Sequence, residues 1–189
     1  MTPGEIDGMA EPCSKTSVGV LIPHPEHPDQ FLMFDRNTPP VGTAPPCGHG
    51  DGDDPVYAAC KESREETGLI VTEVTEILSL WLPNRCRREP GSRPHGHHWT
   101  VVMASGFTGE IKPSVRETRN MRWMALDDIR KGVDRTIDRA QGRITEAELF
   151  YLPGIEPVWC HLLHEAGIIQ SGTSRLDAFR WLYTQDPRS

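Results

Sequence analysis

Lys61-Glu62-Ser63-Arg64-Glu65-Glu66-Thr67-Gly68-Leu69 carries three carboxylates at a spacing that can do chemistry. On a helix of 3.6 residues per turn, Glu62, Glu65 and Glu66 share an arc of roughly 100°. Glu62 stands i,i+3 to Glu65 and i,i+4 to Glu66, and each such pair repels by about 0.2–0.5 kcal/mol. All three fall in the last two helical turns, where the helix dipole already disfavours negative charge. A hard divalent cation turns this repulsion into coordination, because Mg²⁺ takes a few carboxylates and completes its shell with waters and phosphates. The charge pattern alone equally describes a solvated helix face with Lys61 paired to Glu65. An EF-hand loop from Asp51 to Glu62 is excluded, because Val56 occupies the sixth position, where that loop needs glycine.

A second cluster is basic. Arg85-Cys86-Arg87-Arg88 and Arg93 through His95, His97 and His98 concentrate Arg and His between two strand-like segments of an acidic protein. Arginine forks suit phosphates, so Arg85, Arg87, Arg88 and His97 are candidates for holding an anionic substrate; a solvated loop fits the composition as well. His95, His97 and His98 are also of metal-binding type, but no cysteine lies at finger spacing from them, so the sequence gives little weight to a zinc site. Trp81 and Trp99 flank the loop and suit either base stacking or core packing. Cys13 and Cys86 lack a recognisable base partner and are not expected to be nucleophiles. His161 and His164 read as helix packing or surface.

The carboxylates need a helix, and its signals agree at both ends. Asp54 can cap it, Pro55 sits where a missing N–H is harmless, and Gly68 suits the left-handed residue after the end. The expected helix is 55–67. Upstream, 17–22 and 30–34 read as strands joined by a turn, suggesting a hairpin, and a Pro/Gly-rich loop runs from Asn37 to Asp53. Downstream, longer strands are expected near 76–82 and 99–106, a short strand at 121–124, a helix from about Asp127, and tail helices near 156–166 and 174–183. Residues 1–14 read as a disordered lead-in, 15–131 as the main domain and 132–189 as a helical C-terminal extension packed on it. Strand pairs alternating with single helices imply an α/β fold, a mixed sheet covered by helices.

In this frame, Cys47 to Leu69 resembles the Nudix box, G-x5-E-x7-R-E-U-x-E-E-x-G-U with U a bulky aliphatic residue. Glu62, Glu65, Glu66, Gly68 and Leu69 match as they stand. Asp53 and Lys61 replace a Glu and an Arg with charge kept, whereas Cys47 replaces a Gly and Ser63 an aliphatic residue. Arg36 ends the strand ahead of the loop, Pro45 precedes the box, and Trp123 to Ile129 resembles the strand-to-helix segment closing the Nudix core. The resemblance spans residues 16–131 and implies an α/β/α sandwich with a loop–helix–loop catalytic motif. It further implies Mg²⁺ or Mn²⁺ held by Glu62, Glu65 and Glu66, with Glu66, Glu65 or the later Glu117 as general base. Arg36 joins the substrate-binding candidates, and Asp53, Lys61 and Gly68 support the box. The departures bear on activity: Lys61 lacks the planar fork of Arg, Asp53 is a methylene shorter, Cys47 carries a Cβ where Gly takes positive φ cheaply, and Ser63 turns a hydroxyl toward the core.

The implied activity is metal-dependent hydrolysis of the diphosphate linkage of a nucleoside diphosphate derivative. The alternative is a catalytically inactive Nudix-fold module that senses a ligand or binds a protein; a third reading is isomerisation of a phosphorylated metabolite. The net charge of −7 argues against a nucleic-acid polymer as partner. Five cysteines without a C-x-x-C pair suit a reducing compartment. Without a signal-like start or a spanning apolar run, a cytoplasmic protein with no membrane partner is expected. A homodimer is an expectation carried by the family resemblance.

Overall fold

A computed structural model describes residues 12–86, 88 and 95–185. The helix bearing the carboxylates, α1 (Pro55–Thr67), has the expected bounds. Asp54 Oδ1 accepts from the backbone N–H groups of Val56 and Tyr57 at 3.0 and 3.1 Å, and Gly68, at φ 79°, donates its N–H to Arg64 O. Two local residues, Asp54 and Gly68, thus cap its ends.

The strands form two sheets. One is mixed, with order β4-β1-β6-β5; in it β1 (Thr16–Leu21) runs parallel to β6 (His97–Thr108) and antiparallel to β4 (Cys47–His49), and β5 (Ile70–Leu82) pairs antiparallel with β6. The other is antiparallel, with order β3-β2-β7, built from β3 (Thr43–Ala44), β2 (Gln30–Arg36) and β7 (Thr118–Ala125). The expected hairpin survives only at its tip, where Pro23 bridges Phe31; beyond it β1 and β2 diverge into different sheets. The loop expected from 37 to 53 contains β3, which folds back on β2, and β4, which pairs with the more distant β1.

Alternation along β1 distributes its side chains between two cores. Val18, Val20 and Ile22 join Ala58, Ala59, Leu69 and Val102 beneath α1. Leu21 and Val101 face the opposite layer. That layer comprises α2 (Leu126–Ala140), α4 (Pro157–Glu165) and α5 (Thr173–Thr184), with the short α3 (Glu146–Tyr151) between α2 and α4. The result is the α/β/α sandwich expected. Its larger core is centred on Trp159, which is fully buried and packs edge-on to Trp99 at 5.9 Å. Gly19 in β1 makes room for that ring, since a Cβ there would lie 2.4 Å from it. The tail helices are therefore part of the core: burying a tryptophan of this size contributes about 3–5 kcal/mol, by the cost of its truncation.

Residues 1–11 of the expected lead-in lie outside the described residues, but 12–14 belong to the fold, with Cys13 beside His97 and the Ser14 hydroxyl 3.0 Å from that of Thr16. Among the described residues no helix is long and apolar enough to cross a membrane.

Candidate active site

α1 turns Glu62 and Glu66 into a cleft of about 1040 Å³. Glu66 is buried, and its Oε2 accepts the backbone N–H of Cys47 at 2.8 Å. Burial pushes its carboxyl up to about 8; Arg36 and the Cys47 N–H oppose the rise, while Glu62 and Glu117 add to it. Burial also raises Glu62, to about 7, helped by Glu65 and Glu117 and opposed by Lys61. Glu65 is exposed at the side of this pair. Glu117, on the loop before β7, lines the same cleft and is ion-paired with Arg116. The structure thus gathers Glu62, Glu65, Glu66 and Glu117, from two segments, into one electrostatic neighbourhood. Close-set carboxylates that burial and mutual repulsion hold toward their neutral forms are a donor set that fits a hard cation.

The box departures have local explanations. Cys47 has no positive φ, so its Cβ causes no backbone strain. Its Sγ instead accepts from Arg36 Nη1 at 3.4 Å and from Trp159 Nε1 at 3.3 Å. The glycine that matters sterically is the next one: a Cβ at Gly48 would lie 2.1 Å from the Glu62 carboxylate. Lys61 pairs with Asp53 at 3.6 Å, so the two charge-conserving replacements meet each other on the surface. Ser63 is fully buried, and its hydroxyl has no hydrogen-bond partner among the described residues.

Arg36 projects from the end of β2 into the cleft and forms an ion pair with Glu156 at 3.5 Å, both largely buried. Burial alone would lower the Arg36 pKa, but Glu156, Cys47 and Glu66 together raise it, and the guanidinium stays charged. Burial in turn raises Glu156, against the pull of Arg36. Glu156 is a site residue that no local pattern revealed, because its partner is more than a hundred residues away.

Of the basic candidates, Arg85 and Arg88 line the cleft, and Arg88 is held by a two-pronged pair with Asp51. Arg87 lies outside the described residues. His97 also lines the cleft but is buried, with Nε2 3.1 Å from Cys13 Sγ. His49 Nε2 lies 3.1 Å from Cys86 Sγ, and burial pushes both imidazoles down to about 4. His97 therefore meets His49 and two cysteines, not the His95 and His98 with which the sequence grouped it. Trp99 is core, donating Nε1–H to Asn84 Oδ1 at 3.1 Å, whereas Trp81 is exposed outside the cleft. Trp99 also borders the cleft with its buried ring, and Trp181 and Tyr183 of α5 join it there, both missed in the sequence because that helix looked like an appendage. His161 packs against Tyr183 with Nδ1 3.1 Å from its hydroxyl, as helix packing requires.

Fold and site together define a class: an α/β/α sandwich whose capped helix, set between two loops, presents a buried and a half-buried carboxylate to an arginine-lined cleft. The chain belongs to the NUDIX domain family, whose profile matches residues 14–147. The functional class that comes with the family is a Nudix-type hydrolase using a divalent metal on a small phosphorylated substrate. Among solved structures the chain is similar to a MutT NUDIX hydrolase from Burkholderia pseudomallei, at 25% identity over 60% of this chain and 84% of that one, TM-score 0.45. It is similar to an Ap4A hydrolase of C. elegans at 23% identity, over 61% and 83% of the two chains, TM-score 0.45. A MutT protein from Methanosarcina mazei Go1 gives 19% identity, 63% and 82% coverage, and TM-score 0.49. Among curated protein sequences none matches significantly.

Proposed function

We propose that this chain hydrolyses a phosphoanhydride bond of a nucleoside diphosphate derivative with the help of Mg²⁺ or Mn²⁺. The observation that carries the reading is the pairing of two electrostatically frustrated carboxylates, the half-buried Glu62 and the buried Glu66, with arginines in one cleft. Glu62, Glu65 and Glu66 are the residues that would hold the cation. When bound, a divalent ion neutralises the diphosphate and lowers the pKa of an attached water. Arg36 and Arg85 fix the phosphates with forked donors, and Arg88, braced by Asp51, borders the same space. The Cys47 N–H and Arg36 hold Glu66 in one orientation at the cleft wall. Glu117 accepts the proton of the attacking water, since it lines the cleft from a separate loop and acts electrostatically on both Glu62 and Glu66. Trp181 and Tyr183 form an aromatic wall suited to a base.

The test is a panel of nucleoside triphosphates, nucleotide sugars and dinucleotides assayed with Mg²⁺, with Mn²⁺ and with EDTA. Turnover is expected with a divalent ion, abolished by EDTA and reduced roughly 100-fold or more in Glu117→Gln, the size of a lost general base. Saturable binding without turnover under either ion would favour the inactive module and reject the proposal.

A further inference from the structure

Besides the carboxylate site, the fold assembles a second set of metal-ligand atoms. Cys13 Sγ, His49, Cys86 Sγ and His97 each offer one donor, and these atoms all lie within 4.8 Å of one another. We propose that this chain carries a structural Zn²⁺ bound by Cys13, His49, Cys86 and His97, a site separate from the family's carboxylate site and independent of the hydrolase reading.

The sheet topology explains how residues so scattered converge. In the order β4-β1-β6-β5, Cys13 precedes the start of β1 and His49 ends its antiparallel neighbour β4. His97 begins β6, which runs parallel to β1, and Cys86 follows the end of β5, antiparallel to β6. Ser17 stands opposite His49 and Leu82 opposite His97, so each strand, or the segment flanking its end, contributes one ligand at the same end of the sheet. The donor set is Cys₂His₂, a composition that favours Zn²⁺ over hard cations. Tetrahedral bonds of about 2.3 Å to sulfur and 2.0–2.1 Å to nitrogen would set donors roughly 3.3–3.8 Å apart. The two S···N distances of 3.1 Å fall slightly inside that spacing and the outer limit of 4.8 Å slightly beyond it, so small side-chain rotations suffice.

A second observation bears on the cysteines. Each sulfur accepts a backbone N–H from two residues further on: Lys15 N to Cys13 Sγ and Arg88 N to Cys86 Sγ, both at 3.3 Å. These amide bonds fix the orientation of each sulfur toward the cluster. Lys15 also adopts φ 61°, a strained conformation that folds the chain back over Cys13. Four protein ligands leave no open position, the pattern of a structural site and not a catalytic one. Binding one Zn²⁺ forms two Zn–S and two Zn–N bonds and releases the two thiol protons to solvent. The ion ties the segment before β1 and the loop after β5 to the first strand of the Nudix motif. It fixes the backbone carrying Arg85 and Arg88 at the cleft, and gives His97 a ligand's role in place of anion binding.

The test is metal analysis of the full chain, purified anaerobically without chelator after growth with zinc, by elemental analysis and native mass spectrometry. One zinc per chain is expected in the wild type and in Glu62→Gln/Glu66→Gln, with none in Cys13→Ser or Cys86→Ser. Replacing zinc with Co²⁺ in the wild type should give the visible d–d and sulfur charge-transfer bands of a tetrahedral thiolate complex, which keeps the test decisive where a variant fails to fold. Zinc lost in the glutamate variant but retained in the cysteine variants would overturn the proposal. So would reduced wild-type protein that takes up cobalt without these bands, or a Cys13–Cys86 disulfide in the anaerobic preparation.

Discussion

Gly48→Ala isolates the geometry of the carboxylate site from its chemistry. Gly48 lies in β4 opposite Val18, and it is not among the positive-φ glycines, so the backbone accepts alanine. The added Cβ would lie 2.1 Å from Glu62 Cδ and Oε1 and 2.5 Å from Oε2. The strand is held by its ladder and the carboxylate ends a flexible side chain, so the carboxylate must yield. Fold stability should change by no more than about 1 kcal/mol, since the backbone is compatible and unfolded-state entropy falls. Metal affinity should suffer more: a misdirected ligand typically weakens binding roughly 10–100-fold, or about 1.4–2.7 kcal/mol. The assay is calorimetric titration with Mg²⁺ and Mn²⁺, backed by the metal-dependent rise in melting temperature. In a cycle with Glu62→Gln the penalty of Gly48→Ala should largely vanish, because the displaced charge is already gone. Wild-type affinity in Gly48→Ala, or an undiminished penalty in the Glu62→Gln background, would refute the placement of Glu62 as a ligand.

Three further outcomes follow from the same structure. Values near 7 and 8 for Glu62 and Glu66 lie above those of unfolded carboxyls, so the stability they give the metal-free protein is full below the unfolded value and is lost as pH rises from there through about 7 and 8. A cation must displace these protons, so Mg²⁺-induced stabilisation should be small near about pH 6 and grow up to about pH 8.5; scanning calorimetry at a series of pH values would expose a flat profile. Arg36→Ala leaves Glu156 buried without its partner and should destabilise by about 3–5 kcal/mol in urea unfolding, with partial recovery in Arg36→Ala/Glu156→Gln. Ser63→Ala removes a buried hydroxyl that has no partner and should raise stability by about 1 kcal/mol with turnover unchanged; a loss of stability would mean that the hydroxyl is satisfied.

What the sequence disclosed, and what it hid, divides along the range of the interactions. α1 was legible to the residue because Asp54, Pro55 and Gly68 act within one turn of its ends. The strand at 17–22 and the tail helices were legible for the same reason, since apolar runs and helical spacing are local signals. β3 and β4 were not, since two or three residues inside a Pro/Gly-rich loop become strands only by pairing with β2 and β1. Reading Cys47 as a strained glycine replacement missed that its thiol is matched by Arg36 and Trp159, neither of them near it in sequence. Glu156 was invisible without Arg36, and Trp181 without knowledge that α5 walls the cleft. The Cys₂His₂ set followed no finger spacing, because the sheet brings its members together and no short loop does.

The most direct test of the central claim is hydrolysis in ¹⁸O-labelled water with a substrate from the nucleotide panel, Mg²⁺ present and products resolved by mass spectrometry. A Nudix-type phosphoanhydride hydrolase should place one ¹⁸O on a single phosphoryl product per turnover, and Glu66→Gln should suppress the labelled product roughly 100-fold or more. Unlabelled isomeric product, or labelled product formed equally well by Glu66→Gln, would contradict the account.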